Sequence, residues 1–313
     1  MADLRSGDLW AIASYFNPVR YRRRLENFRL FRRYLAIPLV AVELSFGGAF
    51  ELRPEDADML VQIRDGAVLW QKERLLNLAL TRVPAGCHKI AWIDGDVVFA
   101  DPDWAARASR ALDDVPLLHL FDERQDLPRD VAIDRIESRE LPEATRSMLY
   151  WMAVEGVPAD DLLLRGRKRR STNGLAWASR REVLERHGLY DACILGSGDS
   201  ALIAAALGRF ELCTRGLQMN ARQEAHYLAW ARPYFETIRG HVGYISGRIH
   251  HLWHGDPVHR QFGERDRAMS AFGFDPHRDI VPDPSGAWRW GSDKPDLHDF
   301  VRRYFASRME DGV

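Results

Sequence analysis

Short unbroken apolar runs alternate with segments of 3.6-residue period through the first hundred residues. Leu9 to Ser14 (LWAIAS) is apolar throughout and runs into Tyr15-Phe16-Asn17-Pro18, where proline forbids continuation, so it predicts a buried strand with a loop at its carboxyl end. Between Arg20 and Tyr34, Leu25, Phe28, Leu30, Phe31 and Tyr34 recur near the helical period while arginines fill the other face. Ile37 to Leu44 is a second continuous apolar run, the pattern of a parallel strand covered on both faces, and Leu60 to Ile63 a third, shorter one. Leu69 to Leu80 carries no helix breaker and ends at Pro84-Ala85-Gly86; it predicts a helix. Lys89 to Ile93 predicts a strand that meets Asp94-Gly95-Asp96, with Val97-Val98-Phe99 continuing beyond. Strands alternating with helices imply a mostly parallel, doubly wound α/β sheet, whose ligand crevice lies outside the carboxyl ends of its strands.

Residues 122–170 lack apolar runs, are rich in Asp, Glu, Arg and Pro, and predict a helical insertion plus loop ending in the basic run Arg165 to Arg170. Gly174 to Ala178 then reads as a small-residue strand, Arg180 to His187 as a helix closed by Gly188, and Ser200 to Leu207 as a second helix after Gly196-Ser197-Gly198-Asp199. The last seventy residues hold Ile249-His250-His251-Leu252-Trp253-His254-Gly255 and a polar tail with Pro and Trp.

Composition narrows the classes. With 313 residues, 46% hydrophobic and 28% charged, the chain can bury a full core without disulfides or metals. Cys87, Cys193 and Cys213 are isolated and show no C-x-x-C spacing, which suits a reducing compartment. No stretch reaches about 18 uninterrupted apolar residues, and the N-terminus lacks a signal-peptide pattern; the expectation is a cytoplasmic, unanchored protein. A net charge of −1 argues against a general polyanion binder.

Three clusters carry chemistry. Asp94-Gly95-Asp96 sets two carboxylates about a flexible residue at a strand end; such a pair suits a hard divalent cation, although an isolated D-G-D also reads as a surface turn. His251 and His254, three apart with His250 and His259 nearby, can meet one ion if the chain turns there, and imidazole beside carboxylate suits manganese. Asp199 reads either as the N-cap of the following helix or as a general base approached across two glycines. The Arg165–Arg170 run reads as a solvated loop or as a phosphate-binding patch.

In order and spacing these pieces resemble the GT-A glycosyltransferases, and within them the β-1,4-galactosyltransferase family with its bacterial and phage relatives. WQKERLLNLAL at 70–80 is similar to that family's aromatic-N-R-A-K-L-L-N-V-G helix, and IAWIDGDVVFADPD at 90–103 to its strand ending in D-V-D. NGLAWASRREVLERHGLYD at 173–191 is similar to its G-G-V-S-A-L-S-K-E-Q-F segment. Gly196-Ser197-Gly198-Asp199 falls where the family has G-W-G-G-E-D, and His251 and His254 where it has Met-x-x-His.

The resemblance implies a GT-A catalytic domain over residues 1–254, followed by a C-terminal extension over 255–313; from its position alone, the segment with Gly255, Gly263 and Gly273 is expected to pack on the active site as a lid. It implies that Asp96, His251 and His254 bind Mn²⁺ or Mg²⁺, that Asp94 supports the ribose or the metal's surroundings, and that Ser14, Tyr15, Arg20, Trp70 and Lys72 hold the nucleotide. Asp199 would be the catalytic base of an inverting transfer from a nucleotide-sugar, a UDP-sugar by the resemblance, to a hydroxyl on a glycan, small molecule or modified nucleic acid. Where the family has tryptophan and an acidic run, this chain has Ser197 and a single Asp199, and His251 replaces methionine. A nucleotidyltransferase or phosphohydrolase working through the D-G-D carboxylates is the alternative, and a non-catalytic sugar- or nucleotide-binding module a third reading.

Overall fold

The computed structural model describes residues 8–138, 141–165 and 171–312; the 166–170 part of the basic run lies outside the described residues. A seven-stranded sheet forms the centre. Its strands are β1 (Leu9–Phe16), β2 (Leu39–Ser45), β3 (Met59–Arg64), β4 (Lys89–Ile93), β6 (Leu117–His119), β9 (Ala176–Arg180) and β10 (Val242–Tyr244), in the spatial order β10-β6-β9-β4-β1-β2-β3. The pairs β1/β2, β1/β4, β2/β3 and β6/β10 are parallel, and β9 alone runs against its neighbours β4 and β6. The architecture expected from the alternating pattern is therefore present: an α/β fold on a mostly parallel sheet.

The apolar runs are continuous because both faces of this sheet are covered. Trp10, Ile12, Phe16, Val40, Val42, Ile90, Trp92 and Trp177 point into one core, which the helices Lys72–Leu80, Gly198–Ala206, Ala221–Ile238 and Pro295–Ser307 complete. Leu9, Ala11, Ala13, Ala41, Ala91, Ala176 and Ala178 point the other way, into a core closed by Phe28 and Phe31 of the Arg22–Tyr34 helix and by Trp104 and Leu112 of Trp104–Asp114. The period-2 alternation of a strand thus sorts bulky residues to one face and alanines to the other. Alanines let the second layer's aromatic rings approach the sheet closely.

A smaller, four-stranded sheet stands at the carboxyl end of β4. It consists of β5 (Val97–Phe99), β7 (Glu123–Asp126), β8 (Thr145–Arg146) and β11 (Arg248–His251), ordered β5-β11-β7-β8. Two of its strands lie in the stretch expected to be helical insertion and loop. Glu123-Arg124-Gln125-Asp126 has no apolar alternation to betray a strand; it is held by its partner β11 in parallel register. That stretch also contains the short helices Met148–Ala153 and Ala159–Arg165. A hairpin of β12 (Ile280–Pro282) and β13 (Trp288–Trp290) lies in the C-terminal residues, and Met269, Phe274, Ile280, Leu297 and Phe305 from that part enter the first core. Among the described residues, no helix is long and apolar enough to cross a membrane.

Candidate active site

The chain passes from the large sheet to the small one at Asp94-Gly95-Asp96. Asp94 N–H donates to Leu175 O (2.8 Å) beside β9, Val97 N–H closes the turn on Asp94 O (3.2 Å), and Leu252 N–H donates to Asp96 O (2.8 Å). Gly95 is required by space: a Cβ there would meet Phe28 Cδ2 at 2.7 Å. The turn forms one wall of a cavity of about 1030 Å³, lined also by Ser14, Tyr15, Trp70, Lys72, Asp199, His251 and His254. Arg20 is absent from that lining; it reaches out to Ala49 O (3.2 Å).

At one end, His251 closes β11 and the chain turns through Leu252 and Trp253 so that His254 faces it, with their Nε2 atoms 3.3 Å apart. Asp96 Oδ2 lies 3.0 Å from His254 Nε2 and 3.9 Å from His251 Nε2, and one donor atom from each of the three residues falls within 4.8 Å of the others. Asp126, closing β7, lies 2.7 Å from His251 Nδ1; this carboxylate accepts a hydrogen bond from Nδ1–H and orients the ring with Nε2 toward His254 and Asp96. Asp126 is thereby held below the usual carboxylate range: burial opposes this, and His251 and Arg124 outweigh it. Burial likewise opposes ionisation of Asp96, but His254, His251, Arg260 and Arg24 together keep its pKa low. Its Oδ1 is buried without a hydrogen-bond partner. A carboxylate with one oxygen beside two imidazole nitrogens and the other buried without a partner is a donor set that fits a divalent first-row cation.

Across the cavity the chemistry differs. Lys72, at the start of the Lys72–Leu80 helix and only 6% exposed, places Nζ 2.6 Å from Asp94 Oδ1 and 3.0 Å from Asp199 Oδ2. Burial acts against its charge, yet Asp199, Asp94 and Glu73 raise its pKa. Asp94, despite that ion pair, is pushed up to about 6 by burial. Asp199 is the second residue of the Gly198–Ala206 helix; the N-cap is Ser197, in left-handed conformation with φ 80° and no side-chain cap, so the capping alternative for Asp199 does not hold. Lys72, expected to meet the nucleotide, thus joins two carboxylates, and Asp94 belongs to this cluster rather than to the three-residue group at Asp96. Trp70 stacks on Phe305 (6.3 Å, 20°), and Tyr15 donates its hydroxyl to Glu51 Oε2 (3.1 Å).

Several site residues carry no sequence signal. Glu73, buried beside Lys72 and pushed up to about 8 by burial, fits only because residue 198 is glycine: a Cβ there would lie 2.1 Å from Glu73 Oε1. Arg24 and Arg308 both pair with buried Glu310, whose pKa they drive well down against burial. Arg260 and Arg265, following His254 in the chain, also line the cavity. Adjacent in space but up to 286 residues apart, these groups show no motif.

No protein-family model matches the chain, and no curated protein matches it. Solved structures similar in shape include glucosyl-3-phosphoglycerate synthase from Mycobacterium tuberculosis, in complex with Mn²⁺, uridine diphosphate and phosphoglyceric acid (11% identity, 83% of this chain and 76% of that one, TM-score 0.41). A mannosyltransferase from Pyrobaculum calidifontis in complex with GDP-mannose and Mn²⁺ is similar at 14% identity over 98% and 88% of the two chains, with a TM-score of 0.37. A 4-diphosphocytidyl-2C-methyl-D-erythritol synthase from Anaerococcus prevotii is similar at 11% identity over 78% and 88%, with a TM-score of 0.33. Identities and scores this low carry no chemistry over to this chain.

Proposed function

We propose that this chain is a metal-dependent glycosyltransferase of the GT-A kind, akin to the β-1,4-galactosyltransferases. It moves a sugar from a nucleotide-sugar, with UDP as the carrier suggested by the motif resemblance, to an acceptor hydroxyl with inversion. The observation that carries this reading is the Asp96, His251 and His254 group, with its orphaned Oδ1, opening onto the same cavity as Asp199. Those three residues would hold the divalent ion, with Mn²⁺ favoured over Mg²⁺ by two imidazole donors, and a bound ion would supply Lewis-acid stabilisation of diphosphate charge.

Asp199 takes the proton of the acceptor hydroxyl as it attacks the anomeric carbon. Lys72 serves that step in two ways. Before transfer its ammonium pairs with both Asp199 and Asp94; once Asp199 has taken the proton, the ammonium keeps a partner in Asp94. A buried cation therefore never stands unpaired. Trp70, Ser14 and Tyr15 line the nucleotide side, and residues 255–313 form an extension whose first part closes over bound donor. Protection of Gly255–Gly263 from proteolysis by donor and Mn²⁺ together is the expected outcome; equal cleavage with and without them removes the lid.

Calorimetric titration with UDP, GDP and ADP, with and without Mn²⁺, tests the function. Nucleotide binding that needs the ion and disappears in Asp96→Ala is expected. Binding of no nucleotide under either condition would sink the proposal, and release of pyrophosphate or orthophosphate from a nucleotide substrate would transfer it to the nucleotidyltransferase or phosphohydrolase class.

A further inference from the structure

We infer that the acceptor is a small alcohol with an aliphatic body, its hydroxyl at Asp199 and its hydrocarbon against a leucine wall of the same cavity. The inference rests on the glycosyltransferase reading, which gives Asp199 its role. The wall comes from two short helices, Ala159–Arg165 and Phe210–Gly216, which pack on each other. They present Leu162, Leu163, Leu212, Cys213, Gly216 and, just past the second helix, Leu217 to the cavity. Leu163 and Leu217 are half-buried and supply the accessible surface, and buried Leu162, Leu212 and Cys213 back them. The Cys213 thiol is pushed up to about 12 by burial, so it stands there as a neutral, apolar group. Asp160, Asp161, Glu211 and Arg215 of the same helices are absent from the lining, and Asp160 pairs with Arg209 on the outer surface (2.6 Å).

This wall adjoins Asp199. The helix Gly198–Ala206, which carries Asp199 and Ser200 in its first turn, packs on Phe210–Gly216. Asn173 donates Nδ2 to Ser200 Oγ (3.2 Å), so these two polar side chains pair with each other. Gly174 leaves room for the carboxylate, since a Cβ there would lie 2.7 Å from Asp199 Oδ2. A polyhydroxylated sugar laid on the leucines would strip water from its hydroxyls and gain no hydrogen bonds in return, whereas an aliphatic body is stabilised by leaving water. One hydroxyl at Asp199 with hydrocarbon beyond it matches both surfaces. At about 1030 Å³ the cavity stands at the upper end of the roughly 300–1,000 Å³ of a small-molecule site, which leaves space for such a body beside a nucleotide.

The experiment titrates 1-butanol, 1-hexanol, 1-octanol, octanoate and maltotriose calorimetrically into wild type, Leu163→Asn, Leu217→Asn, Asp199→Asn and Val154→Asn, with circular dichroism as the check on folding. Each added pair of methylenes is expected to tighten alcohol binding about tenfold, and maltotriose is expected not to bind. Binding of 1-octanol should weaken about tenfold in Leu163→Asn and Leu217→Asn and stay unchanged in Val154→Asn, which alters an apolar side chain 54% exposed outside the cavity. Octanoate should bind roughly tenfold more weakly than 1-octanol because its charge would meet Asp199, and the gap should narrow in Asp199→Asn. Maltotriose binding without any chain-length dependence among the alcohols, 1-octanol binding indifferent to both leucine substitutions, or an octanoate gap equal in wild type and Asp199→Asn overturns the inference. The chain-length series and the octanoate comparison decide the matter should a leucine variant fail to fold. Any of these failures beside Mn²⁺-dependent nucleotide binding leaves the transferase reading intact; leucine-dependent 1-octanol binding in a protein that binds no nucleotide leaves an apolar site but removes that reading and the acceptor role with it.

Discussion

The two ends of the cavity are built on different sheets. Asp96, His251 and Asp126 sit at the ends of β5, β11 and β7, so the three-residue group and the carboxylate that orients it belong to the small sheet. Asp94 ends β4 of the large sheet, and Lys72, Glu73 and Asp199 come from helices packed on that sheet. The first end has an unpaired carboxylate oxygen and two imidazole Nε2 atoms 3.3 Å apart; the second already holds a lysine between two carboxylates. One end offers ligand atoms a cation could use, the other carries its own cation. The two carboxylates of Asp94-Gly95-Asp96 therefore stand in different surroundings, one against an ammonium and the other against imidazoles.

Removing the carboxylate of the ion end breaks this contrast most completely: Asp96→Ala should abolish Mn²⁺-dependent nucleotide binding, with no calorimetric signal at any accessible concentration. Lys72→Met attacks the other end by leaving Asp94 and Asp199 unpaired, and should lower folding stability by about 3–5 kcal/mol in urea titrations near neutral pH; a variant as stable as wild type would mean that this lysine is not a structural counter-ion. Asp126→Asn keeps the shape but weakens the hold on His251, and should cost roughly 10- to 100-fold in Mn²⁺ affinity with little change in melting temperature. A further contrast concerns Glu73. Its folded pKa near 8 stands above the ordinary 4.5, so as pH rises through that window the unfolded chain releases a proton the folded chain keeps, and folding stability falls. Glu73→Gln removes this slope: its urea midpoint, relative to wild type, should rise from pH 5 to pH 8, and parallel midpoints would show that Glu73 ionises freely in the fold.

The large sheet was legible because a parallel strand covered on both faces leaves an uninterrupted apolar run, as in β1, β2 and β4. The small sheet was not, except at β5. β7 spells Glu-Arg-Gln-Asp and β8 only Thr-Arg, so neither shows hydrophobic periodicity; their stability comes from pairing within a sheet and a small core of Val98, Leu127 and Leu252. The candidate site divides in the same way. Asp94, Asp96, His251, His254 and Asp199 announce themselves through local spacing. Asp126, Arg260 and Arg265 stand in ordinary polar stretches, and Glu310 is joined to Arg24 only by the closing of the chain. Lys72 shows the limit from the other side: its position was readable, but its allegiance to Asp94 and Asp199 depends on where two helices put their first turns.

The Phe28 ring beneath Gly95 makes the passage between the sheets a fulcrum. A methyl group there would lie 2.7 Å from the ring, so the turn or the ring would have to shift. The span from the cation-receiving end to Asp199 is thus gauged by backbone and aromatic contact rather than by adjustable side chains.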